Sequence, residues 1–475
     1  MKVKFIVIVS VLFAAIVIIF MFKKKEHIKE ITTDKLFHLI PPNSSNVHFA
    51  NTIITSDSLN FFKFEYMYNG GGVGIGDFNN DGLQDIFFTG NQVPSKIYIN
   101  KGNFRFEDIT AGSGIVIDNG FPFGISVADV NQDGLADIYV SIGGPQKKDI
   151  YPNKLFINEG VDKNKNPHFK EMANQYGLAD SGQSVQAVFF DYDRDGDLDM
   201  YQLTGGGFEK SPNVASPVVK DGSAKNTDRL YRNDFDIKLG HPVFTNVSKQ
   251  AGIVEEGFGL GVSLIDINED GWQDIYVTND YISSDLLYIN NKDGTFSEKV
   301  KAYFKHTSLF AMGNDVGDIN NDGLVDVLSV DMLPDDHYQK MLMYGPSQHD
   351  KFYYSIELGY AYQYMRNTLQ LNRGGGKFSE IGQLACIYKS SWSWAPLLAD
   401  LDNDGYQDIF ITNGFPKNIT DLDFVKYRSD AKKTGDPNKQ FAILIDSLSA
   451  RPGIKTHSYS YKRWFSKKYR SLISK

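Results

Sequence analysis

The stretch DYDRDGDLD at residues 191–199 decides the fold, because five near-copies of it recur along the chain. The other copies are DFNNDGLQD (77–85), DVNQDGLAD (129–137), DINEDGWQD (266–274), DINNDGLVD (318–326) and DLDNDGYQD (400–408). Every copy keeps Asp at positions 1, 5 and 9, Asp or Asn at position 3, and Gly at position 6. Such regular recurrence indicates a repeat architecture rather than a set of unrelated domains.

Strand-like segments surround each copy in a constant order. Around the first copy they are VGIGDF before the loop, then DIFFTG, SKIYINKG and FRFEDIT, which are four short strands separated by turn residues. The intervals between successive loops are 52, 62, 75, 52 and 82 residues, as expected for equal units with insertions of different length. A four-stranded unit of this size cannot bury both faces alone. The sequence therefore predicts an all-β fold, a β-propeller with six or seven four-stranded blades.

The acidic loops have the composition of a calcium site. Side chains at positions 1, 3 and 5 of a tightly curved loop point inward, position 7 offers its carbonyl, and position 9 returns a carboxylate. These are about six hard oxygen ligands, the coordination that Ca²⁺ prefers, and Gly at position 6 permits the sharp turn. Zn²⁺ would require His or Cys, and Mg²⁺ a tighter octahedral set. Since position 9 runs directly into a strand, we predict about six structural Ca²⁺ ions that close strand-to-strand turns.

The predicted calcium ligands are Asp77, Asn79, Asp81, Leu83, Asp85, Asp129, Asn131, Asp133, Leu135, Asp137, Asp191, Asp193, Asp195, Asp197, Asp199, Asp266, Asn268, Asp270, Trp272, Asp274, Asp318, Asn320, Asp322, Leu324, Asp326, Asp400, Asp402, Asp404, Tyr406 and Asp408. The alternative is that Asx-Gly turns recur in β proteins without metal. That alternative leaves several carboxylates converging in each loop, where unneutralised charges repel by on the order of a few kcal/mol per pair. The most acidic loop, at residues 191–199, is expected to bind most tightly.

Composition and charge narrow the range of partners. The chain has 475 residues, 41% hydrophobic and 13% aromatic, and a formal charge of −9, and the six loops hold 22 of its 58 acids. Bound cations would therefore offset much of the negative charge. No basic stripe with interleaved aromatic residues is present, which argues against a nucleic-acid partner. The one cysteine, Cys386, cannot form an internal disulfide, and its apolar neighbours predict a buried strand residue.

The N-terminus carries an apolar run at residues 5–22, flanked by lysines. Eighteen residues at about 1.5 Å each span roughly 27 Å, enough for a thin hydrocarbon core. The run ends in Phe-Met-Phe and lysines rather than in a small-residue cleavage site, which favours an uncleaved signal-anchor over a cleaved signal peptide. We divide the chain into this membrane segment (1–22), a stalk (23–46), the repeat domain (47–461) and a basic tail (462–475). Residues 47–54 and 60–68 are predicted strands before the first loop.

The loops and their flanking strands resemble a known family. The pattern G-x-G-D-x-N-x-D-G-x-x-D-I, followed by x-L-Y-x-N-x-G-x-x-x-F-x-D, is similar to FG-GAP/VCBS repeats, the blades of integrin-α-like propellers. The phrases YNGGGVGIGDFNNDGLQDIFFTG (68–90), DMLPDD (331–336) and SWSWAPLLADLDNDGYQDIFITNG (391–414) resemble VCBS repeat proteins of Bacteroidota that usually continue into an ASPIC/UnbV module. This chain lacks that module, as in a C-terminally truncated member. The resemblance implies Ca²⁺ in the loops, export and a binding role.

Two insertions interrupt the repeats and are the expected location of specific function. Residues 205–228 are rich in Gly, Ser, Pro and Lys, whereas residues 331–366 carry seven tyrosines. The aromatic insertion is a candidate platform for a glycan or protein ligand, and the alternative is that it only packs over the rim. Trp392 and Trp394 are expected to pack between blades rather than face a ligand. Exported calcium modules bind at roughly 10⁻⁴ to 10⁻³ M, so a periplasmic or cell-surface location is expected.

An enzyme is the second interpretation, namely a calcium-dependent polysaccharide lyase or hydrolase. It requires an acid–base pair, and His337 with Asp335 or Asp336 is the only clustered candidate. A lone histidine among acids on an inserted loop is more often a solvated surface group. No nucleophile elbow, HExxH motif or phosphate loop is present. We therefore predict a membrane-anchored binding or adhesion scaffold without catalytic residues.

Overall fold

The structure is a computed structural model, and it describes residues 36–56, 58–61, 63–118, 120–145, 151–206, 212–343, 349–415, 419–431 and 458–461. The chain divides into two compact units, Met1–Ser44 and Ser45–Lys475. Within the described ranges, no helix combines the length and the apolarity needed to cross a membrane. The predicted segment 1–22, most of the stalk and the tail 462–475 lie outside the described residues.

Strands dominate the described residues, as the sequence predicts. Numbered in chain order, they are β1 (Val73–Gly76), β2 (Asp85–Phe88), β3 (Lys96–Asn100), β4 (Phe106–Asp108), β5 (Phe121–Ala128), β6 (Asp137–Gly143), β7 (Lys154–Val161), β8 (Pro167–Glu171), β9 (Ser184–Phe190), β10 (Asp199–Thr204), β11 (Arg229–Asp236), β12 (His241–Asn246), β13 (Gly259–Ile265), β14 (Asp274–Asn279), β15 (Leu286–Asn290), β16 (Phe296–Glu298), β17 (Thr307–Ser308), β18 (Gly313–Gly317), β19 (Asp326–Val330), β20 (Gln363–Tyr364), β21 (Thr368–Asn372), β22 (Phe378–Glu380), β23 (Ser393–Ala399), β24 (Asp408–Asn413) and β25 (Ser458–Tyr461). The helices are α1 (Pro42–Ser45), a 3₁₀ turn (Glu65–Tyr68), α2 (Val300–Tyr303), α3 (His337–Met343), α4 (His349–Glu357) and α5 (Leu422–Ala431).

Each acidic loop belongs to one antiparallel sheet. The first five sheets have four strands each, in the orders β1-β2-β3-β4, β5-β6-β7-β8, β9-β10-β11-β12, β13-β14-β15-β16 and β18-β19-β21-β22, and the sixth has the order β23-β24-β25. The loop always joins the first strand to the second, so all six loops lie at one end of their sheets. We call this end the loop face. The opposite end carries the connections from second to third strands, and we call it the insertion face.

Consecutive sheets lie side by side through their first strands. β1 contacts β5, β5 contacts β9, β9 contacts β13, β13 contacts β18, and β18 contacts β23. Glycines permit this approach: a Cβ at Gly74 would lie 2.7 Å from Cγ2 of Ile125, and one at Gly313 would lie 2.4 Å from the carbonyl oxygen of Trp394. None of the sheets in the described part of the chain closes on itself. The architecture is a propeller-like succession of four-stranded units.

Hydrophobic clusters fill the spaces between neighbouring sheets. Ile138 and Phe156 of the second sheet are fully buried together with residues of the first. Leu328 of the fifth sheet packs in the same way with Ile409 of the sixth. Each sheet therefore has apolar residues on both faces and is stable only beside its neighbours, since burial of apolar area is the main stabilising contribution.

The segment before the first loop is not the pair of strands predicted from sequence. Residues 47–54 form no strand, and the predicted strand at 60–68 is irregular apart from the 3₁₀ turn Glu65–Tyr68. Met67 is fully buried, and the ring of Phe64 meets that of Phe121 edge-on at 4.9 Å. Side-chain burial on the insertion face thus replaces strand pairing as the stabilising contribution.

Two smaller predictions are also corrected. Cys386 is exposed and lies in a turn with φ of 55°, while its neighbours Ala385 and Ile387 are buried. The apolar residues around Cys386 are therefore buried, whereas Cys386 itself is not. The sequence HSYSY resembles the third strand of a further unit, and in the structure it supplies β25, the third strand of the sixth sheet itself.

Candidate metal centres and insertion face

The six loops share one backbone geometry, fixed by the Asp at position 1. In the first loop, Asp77 accepts hydrogen bonds from the N–H groups of Asp81 at 3.0 Å and Gly82 at 2.8 Å. The same two bonds recur in every loop. The residues at positions 4 and 6 have positive φ, for example 53° at Asn80 and 86° at Gly82. Because two of the three residues at positions 4–6 have a left-handed backbone conformation, the loop curves tightly. This curvature brings the side-chain oxygens of positions 1, 3 and 5 together.

The Asp at position 9 ties its loop to the third strand of the same sheet. Asp85, for example, is fully buried and accepts the N–H groups of Phe78 at 2.9 Å and of Asn100 in β3 at 2.7 Å. Burial, with a smaller contribution from neighbouring loop acids, raises the pKa of Asp85 to about 6 and that of Asp199 to about 8. The protein groups alone therefore do not compensate these charges, and a bound cation would favour the ionised form.

The loop at residues 191–199 has the strongest metal-binding geometry. One carboxylate oxygen from each of Asp191, Asp193 and Asp195 lies within 4.8 Å of the others. The Oδ1 atoms of Asp193 and Asp197 are buried without a hydrogen-bond partner. Burial and mutual repulsion raise the pKa of Asp193, and they raise that of Asp197 to about 6. Buried carboxylate oxygens without donors, held close together, fit a hard divalent cation.

Of the other loops, the sixth also has Asp at position 3, and the remaining four have Asn. Asp400, Asp402 and Asp404 form a second triad within 4.8 Å. Where Asn replaces Asp, its amide can donate to the acid at position 5, as Asn131 donates to Asp133 at 2.9 Å. In the fourth loop, Lys292 lies 3.2 Å from Asp270. The Asn amide and the Lys292 ammonium already compensate part of the negative charge of the position-5 acids. We therefore expect these loops to bind Ca²⁺ more weakly.

Sequence reasoning missed a set of bonds between neighbouring loops. The side chain at position 4 donates to the carbonyl at position 6 of the next loop: Asn80 to Gly134 at 3.2 Å, Gln132 to Gly196 at 2.9 Å and Asn321 to Gly405 at 2.8 Å. Arg194 donates to the carbonyl of Gly271 and lies over the ring of Trp272 at 4.2 Å. The signal was a donor-bearing side chain at position 4, which Glu269 of the fourth loop lacks.

A second missed set lies at the insertion face, where each third strand begins. Asp228 accepts the N–H of Thr204 and the hydroxyl of Tyr201, both at 2.7 Å. Asp285 has the same partners in Asn279 and Tyr276, at 3.1 and 2.8 Å. In the second sheet Asn153 accepts the N–H of Ile142 at 2.8 Å and donates to the hydroxyl of Tyr139 at 2.8 Å. In these three sheets the sequence signal is an Asp or Asn two residues before the L-Y or L-F pair of the third strand.

Asp331, the first residue of the aromatic insertion, organises that insertion. It is fully buried and accepts four backbone N–H groups, from Leu309 at 3.1 Å, Phe310 at 3.2 Å, Met332 at 2.6 Å and Arg366 at 3.1 Å. The bonds join the two ends of the insertion to the segment before β18. Burial nevertheless raises the pKa of Asp331 to about 7.

The described residues of the insertion, 331–343 and 349–366, form regular elements and present aromatic side chains to solvent. The insertion contains α3, α4 and β20, which pairs in parallel with β17. Tyr353 and Tyr354 are each 51% exposed and Tyr362 is 50% exposed. Tyr360 is buried and donates to the carbonyl of Ser216 at 2.9 Å, which joins this insertion to the one after β10.

The predicted catalytic cluster does not converge. His337 begins α3 and is exposed. Asp336 accepts the N–H of Gln339 at 2.9 Å, and Asp335 pairs with Lys389 at 3.0 Å. Within the described residues no hydrogen bond joins His337 to either acid. Trp392 is 8% exposed and stacks on Phe415 at 4.3 Å, so it packs inside as expected.

A family model described as an FG-GAP-like repeat matches residues 77–140, 266–329 and 356–411, which contain five of the six loops. Cartilage acidic protein 1 of Xenopus tropicalis is 25% identical over 233 residues, 48% of this chain and 32% of that protein. The Homo sapiens protein is 24% identical over 215 residues, 45% of this chain and 28% of its own length. The match thus spans about a third of these curated relatives.

Two solved structures align with much of the chain at low similarity. An Agrocybe aegerita lectin that recognises non-reducing terminal N-acetylglucosamine has a TM-score of 0.38 at 15% identity, covering 73% of this chain and 77% of the lectin. A rhamnogalacturonan lyase has a TM-score of 0.36 at 13% identity, covering 73% of this chain and 55% of the lyase. These scores carry no information about the ligand of this chain.

Proposed function

This chain is an FG-GAP repeat protein, and we propose that it is a calcium-stabilised, exported and membrane-anchored scaffold that binds a glycan or protein ligand through its inserted loops. The observation that carries the binding role is the position of the insertions. Both long insertions follow second strands, so both lie on the insertion face, at the opposite end of the sheets from the acidic loops. The unrepeated, exposed aromatic surface is therefore separated from the repeated structural loops.

Calcium is proposed as a structural ion, and the loop at residues 191–199 supports it best. The residues that would hold the ion are the acids at positions 1, 3, 5 and 9 and the carbonyl at position 7. When bound, the ion would supply charge compensation to buried carboxylates and close the turn between first and second strands. We propose no chemical step for it, since the loops surround the site with protein oxygens.

The calcium proposal predicts a ligand-dependent melting temperature. At about fiftyfold excess over the dissociation constant, one site stabilises the folded state by about 2 kcal/mol. Scanning calorimetry with chelator and with millimolar Ca²⁺ measures this effect. An unchanged midpoint would contradict the proposal.

A matched variant tests the order of affinities. Asp193→Asn gives the third loop the position-3 residue of the first loop, where Asn79 donates to Asp81 at 3.1 Å. We expect the tightest site in a calcium titration to weaken to the level of the others. Asp402→Asn in the sixth loop is the control, because the site at 191–199 should then stay the tightest.

The binding role is tested on the exposed tyrosines. Replacing Tyr353, Tyr354 and Tyr362 together by Ala should abolish binding on glycan and peptide arrays, because these half-exposed rings form the surface that a ligand would cover. The melting temperature should change little. Retained binding, or a large drop in melting temperature, would show that the insertion only packs over the rim.

A control substitution lies on the loop face. Phe104 is 67% exposed, in the turn between β3 and β4. Phe104→Ala removes a comparable exposed ring and should leave array binding unchanged. We propose that binding proceeds without catalysis, and the contacts of Asp335 with Lys389 and of Asp336 with Gln339, rather than with His337, support this. Release of unsaturated ends from acidic polysaccharides would contradict it and favour a lyase.

The proposed cellular location follows from the expected calcium affinity of the loops. A loop that binds Ca²⁺ at roughly 10⁻⁴ to 10⁻³ M fills only where calcium is abundant, which is outside the cytosol. We therefore propose a periplasmic or cell-surface location with the apolar run at residues 5–22 as the anchor. Closure of the six sheets into a ring is part of this proposal. Protease accessibility of the repeat domain on intact cells, compared with lysed cells, tests the location.

A further inference from the structure

The aromatic insertion encloses a cavity. Its volume is about 440 Å³, within the range of small-molecule sites. Residues of α3 and α4, the short strand β20 and the segment after β17 form its walls. The cavity lies on the insertion face, beside but distinct from the exposed tyrosine surface.

The walls of the cavity are mostly apolar. Ile282, Leu309, Leu333 and Phe352 contribute to them, together with two methionines. The lining glutamine Gln363 already donates to the carbonyl of Ser283 at 2.9 Å. A ligand with hydroxyl groups on all sides would place some of them against these apolar walls, whereas a ligand with one polar end would not, so the lining favours the second kind of ligand over a sugar.

Positive charge surrounds this apolar volume. Lys340, Lys351 and Arg366 line the cavity, and the lining residues that the structure describes include no Asp or Glu, although the chain as a whole carries a formal charge of −9. Arg366 contacts His306 at 2.9 Å and Glu380 at 3.5 Å through Nη2, whereas its Nε is buried without a hydrogen-bond partner. The Arg366 guanidinium is thus partly compensated by Glu380, and Lys340 and Lys351 supply most of the positive charge at the cavity.

We propose that this cavity binds a small apolar carboxylate, with the apolar group against the Phe352 wall and the carboxylate toward the Lys340, Lys351 and Arg366 side chains. This inference rests on the proposed function and deepens it by naming the ligand chemistry of one site on the insertion face. The carboxylate belongs either to a free acid or to the C-terminal residue of a peptide, and both present the same groups to the cavity.

Calorimetric titration of the full chain in Ca²⁺ tests the proposal with two matched probes. 4-Phenylbutyrate should bind saturably and at least roughly tenfold more tightly than 4-phenylbutan-1-ol, which has the same apolar group without the charge. This preference should shrink in about 1 M NaCl. Gly-Gly-Phe with a free or an amidated C-terminus then distinguishes the peptide source from the free acid.

Substitution of the two lining lysines tests whether they cause the preference for the acid over the alcohol. Lys340→Gln with Lys351→Gln should remove most of the preference for acid over alcohol and leave binding of the alcohol unchanged, and Lys238→Gln, on the distant turn between β11 and β12, should change neither. Equal affinity of wild type for acid and alcohol, or no saturable binding of either, would overturn the proposal. If 4-phenylbutyrate fails while the tyrosine substitutions still abolish array binding, the cavity proposal is wrong and the proposed function stands.

Discussion

At the scale of single residues, position 4 of the acidic loops predicts a stabilising substitution. Glu269 occupies this position in the fourth loop and is exposed. Its side chain has no N–H to donate to the carbonyl of Gly323 in the fifth loop. Glu269→Gln supplies the donor that Gln132 already uses toward Gly196 at 2.9 Å. We expect the melting temperature to rise by about 1–2 °C, as for one additional hydrogen bond at an exposed site.

The reciprocal substitution is the control for this prediction. Gln132→Glu removes the existing donor at the same loop position and should lower the melting temperature in saturating Ca²⁺. Both substitutions also change the charge of their loops in opposite senses, so Gln132→Met, which removes the donor without adding a charge, separates the two effects. An unchanged midpoint in that variant would mean that charge dominates and that the interpretation of position 4 is wrong.

At this scale, the sequence was sufficient to identify residues whose type recurs at fixed spacing. It was not sufficient to identify contacts that depend on how neighbouring loops are arranged in space. Positions 1, 5 and 9 were recognised because Asp recurs there at fixed spacing, and position 3 because Asp or Asn recurs there. The bonds of Asn80 and Gln132 were missed because Asn, Gln, Arg and Glu share no side-chain charge, and their common function appears only when the next loop lies within reach. Cys386 was misplaced because the residues on either side of it are buried and it is not.

At the scale of one structural element, the start of β15 predicts a pH-dependent stability. Burial raises the pKa of Asp285 to about 7, while the Tyr276 hydroxyl and the Asn279 N–H oppose that rise. Because the folded-state pKa lies above the ordinary value of 3.8, the folded state binds the proton more tightly. The stability contribution is therefore complete below about pH 4 and is lost as pH rises through about 7, by on the order of 2–4 kcal/mol.

Asp285→Asn tests this directly, because Asn153 occupies the equivalent place in the second sheet with the same partners. The variant should melt near the wild-type temperature at pH 5 and above it at pH 8. Asn153→Asp is the reverse control and should lower the midpoint at pH 8 only. Equal shifts at both pH values would show that packing, not ionisation, distinguishes the two residues.

Strands flanking the acidic loops could be predicted from sequence, whereas the segment before them could not. Alternating apolar residues between turn signals identified β1 to β4 and their counterparts, since each has a neighbour at fixed sequence distance. Residues 60–68 have the same apolar composition, yet Phe64 and Met67 are buried by side-chain packing at the insertion face. Composition alone does not distinguish these two ways of burying an apolar residue.

At the scale of the whole repeat unit, the segment at residues 51–68 contacts connections from five of the six sheets. Asn51 bonds to Asn91 of the first sheet at 2.6 Å, and Phe64 packs on Phe121 of the second. Tyr66 donates to the carbonyl of Gly205 after β10, and Glu65 accepts from Tyr281 after β14 at 2.7 Å. Phe61 and Tyr68 both meet Phe415 after β24 at 5.3 Å. The segment therefore couples the first sheet to the last.

This coupling predicts that one substitution will uncouple the sixth sheet from the rest. Phe415 is 3% exposed and also stacks on Trp392 at 4.3 Å, so Phe415→Ala should cost about 3–5 kcal/mol. Because the lost contacts join the sixth sheet to the N-terminal segment, amide exchange in β23 and β24 should accelerate before exchange elsewhere. Phe169→Ala, at an equally buried ring within the second sheet, should lower stability by a similar amount without selective exchange in β23 and β24. Uniform acceleration in both variants would mean that the described sheets unfold as one cooperative unit, with no special role for the segment at residues 51–68.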